Sequence, residues 1–177
     1  MGNFERQLQV GKIGESQIAR WFQGRGYNIL PVYEKEISEG KGPTLWRADG
    51  ENLICPDMLV FKQGKVYWIE AKHKTAFSWH RITRKWVTGI DIRHYADYLK
   101  VAEEGWPVWL LFLHKDGIAK DTPDGLSSPT GLFGEEIHKL QDIENHRSEN
   151  WGKSGMVYWS HDKLKKLASL ETFLESR

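Results

Sequence analysis

Two short apolar segments joined by a glycine turn constrain the fold of this chain more than any other feature. Met58–Lys62 and Lys65–Ala71 each have the length and the aromatic and β-branched content of a strand. Only Gln63-Gly64 separates them, and glycine accepts the positive φ that a two-residue hairpin turn requires. The sequence therefore predicts an antiparallel β-hairpin with a defined register.

The register of this hairpin brings two acidic side chains together at its open end. Asp57, just before the first strand, is opposed to Glu70 in the second, and directly opposed residues share a face with Cβ atoms about 4.5–5.5 Å apart. Lys72 lies two residues beyond Glu70 and therefore on the same face. Adjacent carboxylates repel each other, and a divalent cation removes the conflict. The residues thus favour an oxygen-rich Mg²⁺ site with an ammonium group beside it.

Two interpretations of this acidic pair and its lysine are open from the residues. In the first, two acids, a metal and Lys72 perform metal-assisted phosphodiester hydrolysis, with the lysine positioning or deprotonating a water or stabilising a phosphorane-like transition state. In the second, the hairpin end is exposed, and Glu70 and Lys72 form an ordinary surface ion pair. The apolar face behind the acids favours the first, because a charge there is costly unless something uses it.

A first predicted helix, from about Phe4 to Gln23, carries an acid on its apolar stripe. Glu15 lies near the middle of a set of apolar and small residues at helical spacing: Phe4, Leu8, Gly11, Ile18, Ala19 and Phe22. An acid on a core-facing stripe needs a partner or a metal, and the lack of bulk at Gly11 and Gly14 would let another element approach. The alternative is a surface pair of Glu15 with Lys12 on a rotated helix.

The remaining patterns alternate between strands and helices. Strands are predicted at Tyr27–Val32, Val108–Leu113 and Met156–Trp159, helices at Ile92–Glu103, near Glu135–Ile143 and from Ser160 onwards, and loops at Glu34–Asn52 and Asp121–Gly134. Pro31 suggests an edge strand, whereas the apolar run from Val108 suggests a central one. Asp91 can cap the helix that follows it, and Gly105 can end that helix.

This order of elements predicts a single α/β domain over residues 1–177. We expect a mixed sheet of four or five strands flanked by helices, with a core at about 4–114 and a C-terminal appendage at about 115–177. The net charge of +1 excludes a uniformly basic nucleic-acid coat, so any basic surface has to be local. The single cysteine excludes a disulfide framework and a thiolate zinc cluster. With no apolar targeting segment and no run long enough to span a bilayer, we expect a cytoplasmic protein that does not bind membranes.

One stretch, residues 71–90, combines basic and aromatic side chains and contains no acid. Basic groups neutralise phosphates, and tryptophan rings stack on bases or wedge into a groove. Because the stretch begins at the acidic pair, it is the predicted nucleic-acid contact, through Lys74, Trp79, Arg81, Arg84, Lys85 and Trp86. The alternative is a solvated loop whose tryptophans pack into the core.

Pro56-Asp57, followed after twelve residues by Glu70-Ala71-Lys72, resembles the motif of the PD-(D/E)XK nuclease superfamily. The family fold is a helix, a three-stranded antiparallel meander, a second helix and a further strand, which matches the predicted order from about Phe4 to His114. The resemblance implies a restriction-endonuclease-like core (αβββαβ) and an endonuclease that hydrolyses DNA with Mg²⁺, for which Mn²⁺ can substitute.

The resemblance also implies roles for individual residues. Asp57 and Glu70 would bind the metal with help from the Ala71 carbonyl, Lys72 would act at the attacking water, and Glu15 would support the site or a second metal. Some relatives carry a glutamine motif on the second helix. Here that position reads IRHYADY, in which Arg93, His94 and Tyr95 are candidates for phosphate contacts.

The substrate and the oligomeric state do not follow from the resemblance. Small Holliday junction resolvases, restriction enzymes and phage nucleases share this core, and they favour a bacterial or phage-infected cell. A resolvase specific for branched DNA is therefore one alternative, and a non-catalytic nucleic-acid-binding module on the same scaffold is another. A structural partner in a phage or mobile-element complex is a third. DNA is the expected partner, and the Asp121–Gly134 loop is a candidate second contact or homodimer element.

Overall fold

The computed structural model describes residues 14–32, 43–119 and 121–175. In chain order the elements are α1 (residues 14–23), β1 (Asn28–Pro31), β2 (Thr44–Trp46), β3 (Asn52–Ile54), β4 (Met58–Lys62), β5 (Lys65–Lys74), β6 (Ser78–His80), β7 (Lys85–Asp91), α2 (Ile92–Glu103), β8 (Val108–His114), β9 (Gly131–Glu136), α3 (Ile137–Asp142), β10 (Glu144–Ser148), β11 (Met156–Ser160), a 3₁₀ turn (His161–Lys163), β12 (Lys165–Ala168) and α4 (Leu170–Glu175). The predicted positions Phe4, Leu8, Gly11 and Lys12 lie outside the described residues.

The main sheet has six strands in the order β1-β4-β5-β8-β9-β12. The β5–β8 pair is parallel and the other neighbours are antiparallel, so the sheet is mixed. The chain reaches β8 from β5 through α2, since a parallel pair needs a crossover connection. The α/β class is therefore confirmed, and the elements α1, β1, β4, β5, α2 and β8 follow the order that the resemblance implied.

Each face of this sheet is covered by helices. Tyr98 and Val101 of α2 and Leu140 of α3 are buried against one face, and Ile18 of α1 and Phe173 of α4 are buried against the other. Trp21, which the sequence analysis left off the apolar stripe of α1, is also buried. It lies three residues after Ile18, so the buried face of α1 is wider than predicted.

The β4–β5 hairpin has the predicted register. Lys62 is paired with Lys65 and Met58 with Ile69. Gln63 and Gly64 both have positive φ, 51° and 78°, as a type I′ turn requires. This tight turn fixes the pairing of every residue up to the open end of the hairpin.

The flanking elements also follow the predicted pattern. Strand β1, which contains Pro31, is at the edge of the main sheet, and β8 is inside it. Asp91 caps α2 by accepting a hydrogen bond of 3.0 Å from the Arg93 backbone N–H. Gly105, just after α2, has a positive φ of 109°. No helix in the described ranges is long and apolar enough to cross a membrane.

A second sheet contains four strands in the order β10-β11-β7-β6. The sequence analysis predicted only one of them, the strand at Met156–Trp159, which corresponds to β11. Residues 78–90 of the basic stretch belong to the β6–β7 hairpin and do not form a loop. Trp79 and Trp86 are cross-strand partners whose rings meet edge to face. Their contact and the burial of Val87 and Ile90 stabilise this strand pair. The pair is hard to recognise in the sequence because the residues at the tip of the hairpin are basic.

The C-terminal region differs from the prediction. Residues from Ser160 onwards do not form one helix: a 3₁₀ turn leads into strand β12, and α4 begins only at Leu170. Pairing of β12 with β9 overrides the helical spacing of Leu164, Leu167 and Leu170, on which the predicted helix depended. Strands β9 and β12 thus extend the main sheet beyond the core predicted for about 4–114. The loop predicted at Glu34–Asn52 likewise contains β2, which pairs with β3.

Candidate active site

Asp57 lies at the point where the β4–β5 ladder ends. The last pair is Met58 with Ile69, so the next two positions are Asp57 and Glu70. The Oδ2 atom of Asp57 accepts a hydrogen bond of 2.8 Å from the Ala71 backbone N–H. Within a strand, the N–H and C=O of one residue point to the same side. The Ala71 carbonyl is therefore directed to the side on which Asp57 lies.

Glu70 is a buried acid with only part of its carboxylate engaged. Its side chain is 1% exposed, and Oε1 contacts the ammonium group of Lys72, whose side chain is 31% exposed. Oε2 is buried without a hydrogen-bond partner in the described part of the chain. Native proteins leave few buried polar atoms in this state, and such atoms commonly mark a place for a ligand or water. The simple surface ion pair is excluded, since Glu70 is not at the surface.

The charges of the site are strongly coupled. Burial raises the pKa of Asp57 to about 7, and the nearby Glu70 carboxylate also raises it. The positive charge of Lys72 acts in the opposite direction and lowers it. Burial alone would lower the pKa of Lys72, but Glu70, Asp57 and Glu15 together hold it above its ordinary value. Lys72 is therefore charged at neutral pH. In this state the ammonium group can stabilise negative charge.

Glu15 approaches this site because α1 lies very close to β5. A Cβ atom at Gly14 would be 2.2 Å from Cβ and 2.9 Å from Cγ of His73, the residue next to Lys72. The negative charge of Glu15 contributes to the raised pKa of Lys72. The absence of a side chain at Gly14 thus brings the acid of the first helix towards the hairpin, as the sequence analysis expected.

Substituting Gly14 with alanine should destabilise the protein by about 1–3 kcal/mol, because the new methyl group overlaps the His73 side chain. Urea denaturation of both proteins measures the difference. Gly117→Ala is the matched control, since a Cβ atom there would meet its nearest neighbours at 3.5 Å, an ordinary contact. Equal losses in both variants would mean that the α1–β5 contact can relax.

Two side chains of α2 complete the surroundings of the site. The Tyr98 hydroxyl is buried, and burial together with the charges of Glu70 and Asp57 raises its pKa. Burial and the charge of Lys72 lower the pKa of His94, four residues earlier on the same side of the helix. Tyr98 was missed by the sequence analysis. Tyr95, suggested there as a phosphate contact, is instead buried against Trp159.

The residues present fit a divalent cation bound in the manner of Mg²⁺. Among the described residues no group of three or more His, Cys, Asp or Glu side chains is arranged to hold a metal. Mg²⁺, however, commonly binds through only one or two carboxylates and keeps several waters. Asp57 and Glu70 supply two carboxylates. A divalent cation held by these two residues would offset the repulsion that contributes to the raised pKa of Asp57, and Glu70 has an oxygen, Oε2, without a hydrogen-bond partner in the described part of the chain.

Residues of the predicted nucleic-acid contact are divided between interior and surface. Lys74 donates a hydrogen bond of 2.8 Å to the Gly89 carbonyl, and burial lowers its pKa to about 8. Trp86 is only 8% exposed. These two side chains were predicted to meet nucleic acid, but their packing turns them inwards. Trp79 is half-buried, and the exposed Lys85 pairs with Asp162. Arg81 and Arg84 are exposed at the tip of the β6–β7 hairpin.

No family model matches this chain, and no curated protein matches it. Among solved structures, it is similar to Hjc, a Holliday junction resolvase from the archaeal hyperthermophile Archaeoglobus fulgidus. The match has 10% sequence identity and a TM-score of 0.48, and it covers 86% of this chain and 90% of that chain.

Proposed function

We propose that this chain is a metal-dependent endonuclease that hydrolyses DNA phosphodiester bonds. One observation carries the proposal: two carboxylates, Asp57 and Glu70, meet at the end of a hairpin with the ammonium group of Lys72 in contact with one of them. Acids held together in this way destabilise a fold unless they are used. Their pairing with a lysine suits phosphoryl chemistry, in which negative charge builds up on phosphate oxygens.

Asp57 and Glu70 would hold Mg²⁺, or Mn²⁺ in its place, and the Ala71 carbonyl is directed to the side from which it could add a third ligand. When bound, the ion would polarise the phosphate and make a bound water more acidic. The Ala71 N–H fixes one oxygen of Asp57 and so orients that carboxylate. Glu70 anchors Lys72 by direct contact.

Lys72 would stabilise the negative charge that develops on the non-bridging oxygens of the scissile phosphate. Its raised pKa supports this role over that of a general base, because the group stays protonated at neutral pH. Glu15 is a positioning residue in this scheme, since its charge helps to keep Lys72 protonated. DNA would reach the site over the exposed side chains of Arg81 and Arg84.

The direct test mixes purified protein with supercoiled plasmid in Mg²⁺ or Mn²⁺. Nicked and linear products should appear with either ion and disappear when EDTA removes it. Binding without nicking would identify a non-catalytic nucleic-acid-binding module. Neither binding nor nicking would leave only a structural role in a larger complex.

A panel of labelled substrates would then define the specificity. The panel contains a single strand, a duplex, a flap and a four-way junction of the same sequence. Cleavage restricted to the four-way junction would identify a Holliday junction resolvase, whereas equal cleavage of the linear duplex would identify an endonuclease without branch specificity.

A further inference from the structure

The tip of the β6–β7 hairpin carries an apolar side chain between two arginines. The four residues 81–84 connect the paired strands beyond the His80–Lys85 pair. Ile82 is 87% exposed, more than any other large hydrophobic residue in the described part of the chain. Arg81 and Arg84 on either side of it are exposed as well.

We propose that this tip is a DNA wedge, in which Ile82 enters between neighbouring base pairs while Arg81 and Arg84 hold the adjacent phosphates. The proposal rests on the nuclease function proposed above and adds to it a preference for DNA that is easily unstacked. Apolar side chains of this kind are used to open base steps and bend duplex DNA. Basic neighbours supply the electrostatic attraction that places such a side chain against the duplex.

The tip is held in shape by contacts with the second sheet. His80 Nδ1 and Thr83 Oγ1 form a hydrogen bond of 2.7 Å across the turn, and Thr83 Oγ1 also lies 3.4 Å from Asn145 Oδ1 on β10. The His80 ring stacks on His146 with 3.8 Å between ring centroids, and His146 stacks in turn on Tyr158. A wedge needs such support, because a flexible loop would bend aside before the bases separated.

The hairpin also has a fixed relation to the candidate active site. Lys74, on the same face of β5 as Lys72, bonds to the carbonyl of Gly89 on β7. From Gly89 the strand runs back to the tip, a span of about 15–20 Å for five residues and the turn. The tip is therefore connected to the strand that carries Lys72 through a paired strand of known length and not through a loop.

A single exposed isoleucine is ordinary on a protein surface and needs no partner. Three observations distinguish Ile82. It is flanked by two exposed arginines, it lies within a stretch of twenty residues, 71–90, that contains no acid, and its turn is braced by the stacked rings. Ile118, which is 67% exposed on the loop after β8, serves as the comparison. Asp116 lies two residues before it, and no pair of stacked rings braces its loop within the described residues.

The experiment measures base unstacking directly and does not depend on cleavage. Lys72→Ala protein is bound to a series of duplexes that carry 2-aminopurine at successive positions around the mapped cleavage point. Fluorescence should rise several-fold at one position of the series, where the base step is opened. Adding Ile82→Ser to the same protein should abolish the rise, whereas Ile118→Ser should leave it unchanged.

The arginines are tested by the salt dependence of binding. Arg81→Gln and Arg84→Asn should each reduce the slope of log K against log salt by about 1. Asn is chosen at position 84 because it tolerates the positive φ of 53° found there.

Two results would overturn the wedge. One is an unchanged fluorescence rise with Ile82→Ser. The other is a change in self-association of that variant by sedimentation without any change in DNA binding, which would make Ile82 a contact between copies of the chain. Failure of the nuclease function itself would be seen separately, as absence of metal-dependent nicking by the unaltered protein.

Discussion

Replacing Lys72 with alanine is expected to slow DNA cleavage by roughly 10²–10⁴-fold while DNA affinity changes only a few-fold. The ammonium group contacts the buried carboxylate of Glu70, and the Lys72 side chain is itself only partly exposed. Charge stabilisation in such a place is worth far more than at a solvated surface. Single-turnover cleavage with saturating protein isolates the chemical step, and a gel-shift titration in Ca²⁺ measures binding.

The control for this variant is Lys65→Ala, which removes an exposed lysine from the same strand at the turn of the hairpin. We expect it to cut at the normal rate. Lys72→Arg keeps the positive charge and should recover part of the lost activity. Normal cleavage by Lys72→Ala would reject the role assigned to the lysine and, with it, the assignment of the site.

Replacing Asp57 with asparagine should abolish metal-dependent cleavage and at the same time stabilise the metal-free protein at pH 8. The pKa of Asp57 is about 7 in the folded protein, against about 3.9 in an unfolded chain. The folded state therefore binds this proton more tightly. The stability that the group contributes is complete below about pH 4 and is lost as the pH rises through 7.

The size of this effect follows from the pKa difference. Roughly three pKa units at 1.36 kcal/mol each give an upper value of about 4 kcal/mol above pH 7. Asparagine stays neutral, and its side-chain oxygen can still accept the bond from the Ala71 N–H. Urea unfolding in EDTA at pH 5 and pH 8 measures the change. The free energy of unfolding of the variant, relative to that of the wild type, should be higher at pH 8 than at pH 5. A variant less stable than the wild type at pH 8 would show that the fold does not destabilise the ionised form of Asp57.

The hairpin and its acids were predictable because they depend on local chemistry. A turn of two residues sets the register of β4 and β5, and the register alone brings Asp57 beside Glu70. Similarly, the cap at Asp91 and the apolar run of β8 can be recognised within a few neighbouring residues. Nothing distant in the sequence is needed to infer these features.

The second sheet and β12 were not predictable in the same way. Strand β7 pairs with β11, more than sixty residues later, and β12 pairs with β9, from which α3, β10 and β11 separate it in the chain. Such pairings join segments that are distant in the chain, so no local pattern in the sequence specifies them. The position of Tyr98 beside Glu70 has the same origin, since the spacing of α2 defines its apolar face but not which strand that face covers.

The placement of β5 between β4 and β8 has a consequence for how the acids are held. Glu70 belongs to an interior strand, bonded along both of its edges, and not to a loop that could reshape around an incoming ion. In the proposed nuclease, its carboxylate would therefore be oriented before a metal ion or a phosphate binds. If the chain cleaves DNA as proposed, core substitutions that loosen the sheet should therefore lower the cleavage rate even when they lie far from the acids.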